Sequence, residues 1–200
     1  MSRATLFRSE TGATAAEFAL VVPLLILFLF GIIDVGRLMW ELNQAEKATQ
    51  MGVRYAVVSD PVASVINTDF VGDFSIPGGD PVPSDVFEKA VCDNAACEVS
   101  GEATSDHDST AFGNIVSWMQ RFDGRVQPAN VTVTYTNVGL GYSGNPTGPD
   151  VSPLTTVEVS GLSFSPIILF GGTLPLPSVR ASLTMEDGEC SVTGDCNGSN

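Results

Sequence analysis

From Phe18 to Ile33 the chain reads FALVVPLLILFLFGII, without a charge or a hydrogen-bonding side chain. Counted from Ala13, the run comes close to the roughly 20 apolar residues that a helix needs to cross a bilayer. After Ile33 the pattern changes character and does not stop. Asp34, Arg37 and Glu41 recur at i, i+3 and i+7 on one face, while Leu38, Leu42, Ala45, Thr49, Val53 and Ala56 follow a helical stripe on another. The spacing predicts one helix over residues 13–58, about 70 Å long at 1.5 Å per residue, membrane-spanning first and amphipathic afterwards. Pro23 lies inside it and predicts a kink near Ala19 to Pro23, since membrane helices tolerate a proline that would break a helix in water. Asp60-Pro61 ends the helix, because the residue before a proline is kept out of the α region.

The remainder, residues 59–200, reads as a small head domain. Residues 61–83 hold four of the twelve prolines together with Gly78-Gly79, and predict mostly loop with one turn of helix around Val62 to Asn67. Ser84 or Asp85 is placed to cap a short helix running through Val91, and the small polar stretch from Glu98 to Asp108 predicts exposed loop. Phe112, Ile115, Val116, Met119 and Phe122 share a helical face, so a helix is predicted over 109–123, ended by Gly124. From Ala129 the period becomes two. Val131, Val133 and Tyr135, then Val157 and Val159, then Val179, Ala181, Leu183 and Met185 each alternate with polar neighbours. One-sided alternation predicts an antiparallel sheet of about three strands, its apolar face on the 109–123 helix and its polar face in solvent. The fold class is therefore α+β, a long transmembrane helix continuing into a head with sheet and helix. Two inserts interrupt the strands: Gly139 to Pro153, and Leu162 to Pro177, which carries Phe164, Ile167, Ile168, Leu169, Phe170, Leu174 and Leu176. The second is expected to fold over the core; exposed, it would mark a partner or a membrane contact.

Charge adds a topology. The formal net charge is −14, and after Val58 eighteen Asp and Glu stand against Lys89, Arg121, Arg125 and Arg180, so the head carries the whole imbalance. Such a surface repels phosphate backbones, which excludes nucleic acid as an expected partner. Arg3 and Arg8 precede the span with Glu10 the one acid among them, placing the N-terminus in the cytoplasm and the head across the membrane. A secretory signal peptide has a similar beginning, but its cleavage site would follow the apolar run, where IIDVGRLMWELNQ continues at helical spacing without a small-x-small site. An uncleaved signal anchor with a binding or adhesive ectodomain satisfies the hydropathy equally. It gives no reason for Glu17, whose carboxylate facing lipid would cost about 2.5–3.5 kcal/mol at the centre of a span.

Candidate chemistry is sparse. Cys92 and Cys97 enclose four residues and Cys190 and Cys196 enclose five, in Asp-, Asn- and Gly-rich sequence. Local pairing within each set is the simplest of three connectivities and implies an oxidising compartment. Zinc competes with it, although these spacings strain the common range and no histidine accompanies them. The one histidine, His107, lies in Ser105-Asp106-His107-Asp108-Ser109 and reads as a solvated turn in preference to a metal ligand. An envelope enzyme built on His107 is the weakest reading. Gly141-Tyr142-Ser143-Gly144 lacks the second spacing of a nucleophile elbow and reads as a turn. No phosphate loop or dinucleotide fingerprint appears, so neither catalysis nor a cofactor nor a metal is expected.

A small residue before an apolar helix, Glu at the fifth position beyond it and an aromatic next, here Gly12, Glu17 and Phe18, resembles the processing site of type IV prepilin-like proteins. More closely, GATAAEFALVVPLLILFLFGIIDVGRLMW resembles the TadE-like minor pseudopilins of tight-adherence (Flp-type) pilus systems. The resemblance covers about 45 residues. It implies an inner-membrane protein, with a leader of residues 1–12 removed by a prepilin peptidase between Gly12 and Ala13. It also implies that Glu17 pairs with the N-terminal amine of a neighbouring subunit, and that the partners are other pilins or pseudopilins and the assembly platform. Ala13 as first mature residue, and Phe18 where Flp major pilins have tyrosine, favour a minor component over the main fibre subunit, as does the length. Larger TadG-like relatives carry an extra binding domain for which this chain has no room.

Overall fold

The computed structural model describes residues 10–146, 148–167 and 172–185. Helix α1 runs unbroken from Glu10 to Ala56, with Pro23 inside it. It is already helical at Gly12, ahead of the expected start at Ala13, and it closes on turn bonds from Val57 N–H to Val53 O and Val58 N–H to Tyr55 O, just before Asp60-Pro61. The chain divides into two compact units, residues 1–41 with 163–174, and residues 42–162 with 175–200.

The second unit is the head. Its main sheet is built from β1 (Lys89–Cys92), β2 (Cys97–Ser100), β3 (Val131–Thr136) and β4 (Leu154–Val159). Two short strands, β5 (Ser163–Phe164) and β6 (Leu174–Pro175), form a separate ribbon, and β7 (Val179–Thr184) returns to the main sheet. The main sheet is ordered β2-β1-β3-β4-β7 and is antiparallel throughout. The register sets Val133 opposite Val157 and Cys92, and Tyr135 opposite Thr155 and Ala90, so one face collects the buried side chains. The other face pairs Thr156 with Ser182, whose hydroxyls lie 2.8 Å apart, and sets Glu158 opposite Arg180. In β3 and β4 the alternation is realised residue by residue. In the edge strand β7 it is weaker, with Leu183 exposed and Val179 half-buried.

The next helices of the head are α2 (Phe70–Phe74), capped by Asp69, and α3 (Ser109–Gln120). Helix α3 is capped by Asp108, whose Oδ1 accepts from Thr110 and Ala111 N–H, and it buries Ala111, Phe112, Ile115, Val116 and Met119. Its partner is the C-terminal part of α1, where Ala45, Ala48, Thr49, Val53 and Ala56 are buried. Gly52 makes the approach possible: a Cβ there would sit 2.7 Å from both Cγ and Sδ of Met119. Tyr55 stacks on Trp118 at 5.5 Å, and the Arg121 guanidinium lies over the Trp118 ring at 4.6 Å.

Two expectations fail. The helix from Ser84 or Asp85 through Val91 is absent, and residues 89–92 are strand β1, because pairing on both sides, to β2 and β3, satisfies backbone groups that a short capped helix would leave half-used. The stretch from Glu98 is likewise not all exposed loop: β2 occupies it to Ser100 and Ala103 is buried. Here Gly101, at φ 122°, folds the chain so tightly that a Cβ would collide with the Val86 carbonyl. The sheet thus has five strands where about three were expected. The turn at 62–67 appears as a 3-10 helix over Ser64–Asn67, directly ahead of α2.

Polar groups inside the head are mostly matched. Tyr135, fully buried, accepts a hydrogen bond from Val62 N–H at 3.1 Å, and burial pushes its phenol well above the ordinary range. Asp150 accepts from Phe70 and Asn145 N–H, tying the 139–153 insert to α2. Ser143 is buried with its Oγ between the carbonyls of Pro77 and Asp80. Asp123 is opposed by two influences. Burial raises its pKa, but bonds from the side chain and N–H of Arg125 more than offset it and hold the carboxyl below its usual value. A depressed folded-state pKa contributes stability that is present above the unfolded value and lost as pH falls through the folded one. The head is therefore expected to lose stability on acidification below the ordinary Asp range, and Asp123→Asn to flatten that dependence in urea titrations at graded pH. Thr155 differs, since its buried Oγ1 has no hydrogen-bond partner among the described residues. Chemical denaturation of the head is expected to show Tyr135→Phe less stable by about 1–3 kcal/mol, for stranding a buried N–H, and Thr155→Val unchanged or more stable.

Candidate functional site

Between Phe18 and Ile33 the apolar side chains of α1 are exposed on every side, Phe18, Leu20 and Leu24 most of all. A core helix of a soluble protein would be covered, and this one has almost nothing against it. The helix is long and apolar enough to cross a membrane, and a bilayer is the solvent in which such exposure costs nothing.

Near the N-terminal end lie the residues expected to be processed. Gly12 is helical, and a Cβ built there meets nothing within 4 Å. Packing against the described residues thus imposes no requirement for glycine at this position. Glu17 is exposed and makes no ion pair among the described residues, and Phe18 beside it is exposed as well. Among the described residues, Gly12 and Glu17 are therefore a glycine without a packing reason and a carboxylate without an ion-pair partner, at the entrance of a helix that carries apolar groups toward its surroundings.

At the other end of the span the carboxylate is satisfied. Asp34 is only 7% exposed. Its Oδ1 accepts the Ile167 N–H at 2.9 Å and lies 3.5 Å from Arg37 Nη1. Arg37 donates to the Ser165 carbonyl at 3.4 Å, sits 5.3 Å from the centre of the Phe164 ring and reaches Glu41 at 3.7 Å. The helical spacing of Asp34, Arg37 and Glu41 was legible from sequence, but their use was not. Their partners lie 128 and 133 positions away, in the apolar insert.

The model of the TadE-like protein family matches residues 12–54. This chain carries a TadE-like segment. The match opens on Gly12 and closes two residues before the end of α1, taking in Glu17, Phe18 and the Asp34–Arg37–Glu41 face and leaving the sheet outside it. No curated protein and no solved structure matches the chain. The matched segment lies on the helix that is long and apolar enough to cross a membrane.

In the head, Cys92 and Cys97 are disulfide-bonded, joining the last residue of β1 to the first of β2 where the register sets them opposite each other. Asp93 shapes the connection, its Oδ1 accepting from Ala95 and Ala96 N–H, and those two bonds hold its carboxyl below the usual range. The pairing expected for Cys190 and Cys196 lies outside the described residues. His107 is half-buried and bridges elements: its Nε2 is 2.9 Å from the Asp93 carbonyl, which makes that nitrogen the protonated one, and its ring lies 5.7 Å from Phe112. Asp106 N–H donates to Ser64, and Asp108 caps α3, so the polar run around the histidine is spent on structure.

Replacing Cys92 and Cys97 together by Ala is expected to lower head stability by about 2 kcal/mol, the chain-entropy value for so short a loop. Non-reducing peptide mapping is expected to recover Cys92 joined to Cys97, and a peptide linking either to Cys190 or Cys196 would refute the pairing.

Proposed function

We propose that this chain is a minor pseudopilin of a tight-adherence (Flp-type) pilus, cut by a prepilin peptidase between Gly12 and Ala13 and held in the inner membrane by α1. Its N-terminus faces the cytoplasm and its head lies outside. The observation that carries the proposal is the combination, inside the TadE-like segment, of a Gly12 that no described residue crowds with an exposed Glu17 that makes no ion pair among the described residues, at the mouth of the span. Cutting after Gly12 turns Ala13 into a free ammonium. That group stands about 6 Å along the helix from Glu17, at 1.5 Å per residue, one turn away on the i,i+4 spacing, so a pair within one chain and a pair with a neighbour compete for the same carboxylate. A neighbouring subunit shifted along the helix axis brings its own ammonium to Glu17, and pairing the two charges removes the cost of holding either alone in lipid. Assembly then selects for processed chains, because an unprocessed chain has no ammonium at Ala13 to offer.

The helical state of residues 10–12 adds a step. A protease binds its substrate extended, so the first turn has to unwind, and a terminal turn with glycine in it does this at low cost. The head contributes a disulfide consistent with an oxidising exterior. Other pilins or pseudopilins and the assembly platform are its partners in this reading, and the chain itself performs no catalysis.

Gly12→Val is expected to keep the leader and migrate heavier by the mass of that leader. Glu17→Ala is expected to be trimmed normally but to fail to support piliation. Its insertion is expected to improve by up to about 2.5–3.5 kcal/mol, so poor insertion cannot explain the failure. Maturation of Gly12→Val at the wild-type rate, or full piliation with Glu17→Ala, would favour the uncleaved anchor.

A further inference from the structure

The insert between the fourth and last strands of the main sheet leaves and returns through the ribbon of β5 and β6. Its described apolar residues divide into two sets. Phe164 is buried, with Arg37 over its ring, while Ile167 and Leu174 are 45% and 44% exposed. Between those two exposed residues the sequence reads Ile168-Leu169-Phe170-Gly171-Gly172-Thr173. Two large apolar side chains presented outward, at either end of so apolar a sequence, call for an apolar surface outside the chain.

The attachment points say which one. The insert is fastened to α1 by Asp34 through the Ile167 N–H and by Arg37 through the Ser165 carbonyl. Asp34 is the first residue after the apolar run, and Arg37 follows one helical turn later. At 1.5 Å per residue the fastening thus lies within about 6 Å of the end of the span. The headgroup layer outside each face of the hydrocarbon is about 5–8 Å deep. Ser165 and Ile167, tied there, lie in that layer, and Ile167 starts level with the hydrocarbon boundary. The charges fit the same depth, because the buried Asp34 and the partly exposed Arg37 neutralise each other and a backbone N–H and a carbonyl add to their bonding, leaving no unpaired charge at the boundary.

We propose that Ile167 and Leu174 insert into the bilayer beside the exit of α1, giving the protein a second, interfacial membrane contact clamped to the first by Asp34 and Arg37. The occupant of this apolar surface is lipid, in continuity with the span. The consequence is orientational: one helix alone can spin and tilt, whereas a helix and a loop fixed to one side of it define a face, so the Asp34 side of α1 is held toward the loop and other sides stay open to neighbours. The inference rests on α1 crossing a bilayer but not on processing or piliation.

The test uses the full chain with Trp40 and Trp118 replaced by Phe, carrying a single new tryptophan, in vesicles of phosphatidylethanolamine and phosphatidylglycerol with lipids brominated at shallow or deep acyl positions. Ile167→Trp and, as a second site, Leu174→Trp are expected to emit at shorter wavelength than in water and to lose intensity to shallow bromines more than to deep ones. Ile26→Trp, in the middle of the span, is expected to respond most to deep bromines, and the Cys92–Cys97 disulfide reports that each variant has folded. If Ile26→Trp is quenched while Ile167→Trp and Leu174→Trp are not, the span reading stands and the loop contact is overturned, in favour of protein contact when the two loop variants emit at short wavelength and of solvent when they emit at long. If Ile26→Trp is not quenched either, both the span and the loop contact fall.

Discussion

An apolar helix surface with almost nothing packed on it among the described residues constrains the rest of this chain. Between Phe18 and Ile33 the helix is long and apolar enough to cross a membrane, and a bilayer core of about 30 Å would fix which residues lie inside and which at the edges. Glu17 and Asp34 become conspicuous only in that frame, as the carboxylates at the two mouths of the span. They are handled in opposite ways. Asp34 is enclosed within the chain by Arg37 and a backbone N–H drawn from a loop far along the sequence, whereas Glu17 is left open. A carboxylate already paired internally is silent toward neighbours. One left unpaired in lipid gains by meeting a cation, and cleavage after Gly12 would create such a cation on every processed subunit.

The head obeys a different logic. It is largely outside the TadE-like segment, and its stability comes from an antiparallel sheet with one buried face, from the close approach of α1 and α3 over Gly52, and from short polar clamps such as Asp108, Asp123 and Asp150. Many of its acids are caps and turn acceptors, so the strong negative charge of this domain is partly a by-product of loop-building and not wholly a surface for a partner.

Strong local periodicity was readable in the sequence and long-range pairing was not. The span, α3 and strands β3 and β4 follow directly from spacing, since each pattern repeats enough times to define a face. Strands β1 and β2 hold four residues each, too few for alternation to emerge, and a capping signal at Ser84 and Asp85 pointed toward a helix that pairing with β3 overrides. The reading of Gly12, Glu17 and Phe18 rests on their order and spacing alone. The Asp34–Arg37 clamp could not be read that way, because its partners are a backbone N–H and a carbonyl, groups so general that no sequence pattern marks them.

The most direct test of the central claim is the identity of the first residue in the protein isolated from its own cells, read by N-terminal sequencing or intact mass. Processing at Gly12 predicts a chain that begins at Ala13 and lacks the residues before it. A chain beginning at Met1 or Ser2 and piliating normally would contradict the account, because Glu17 would then have no ammonium at Ala13 to meet.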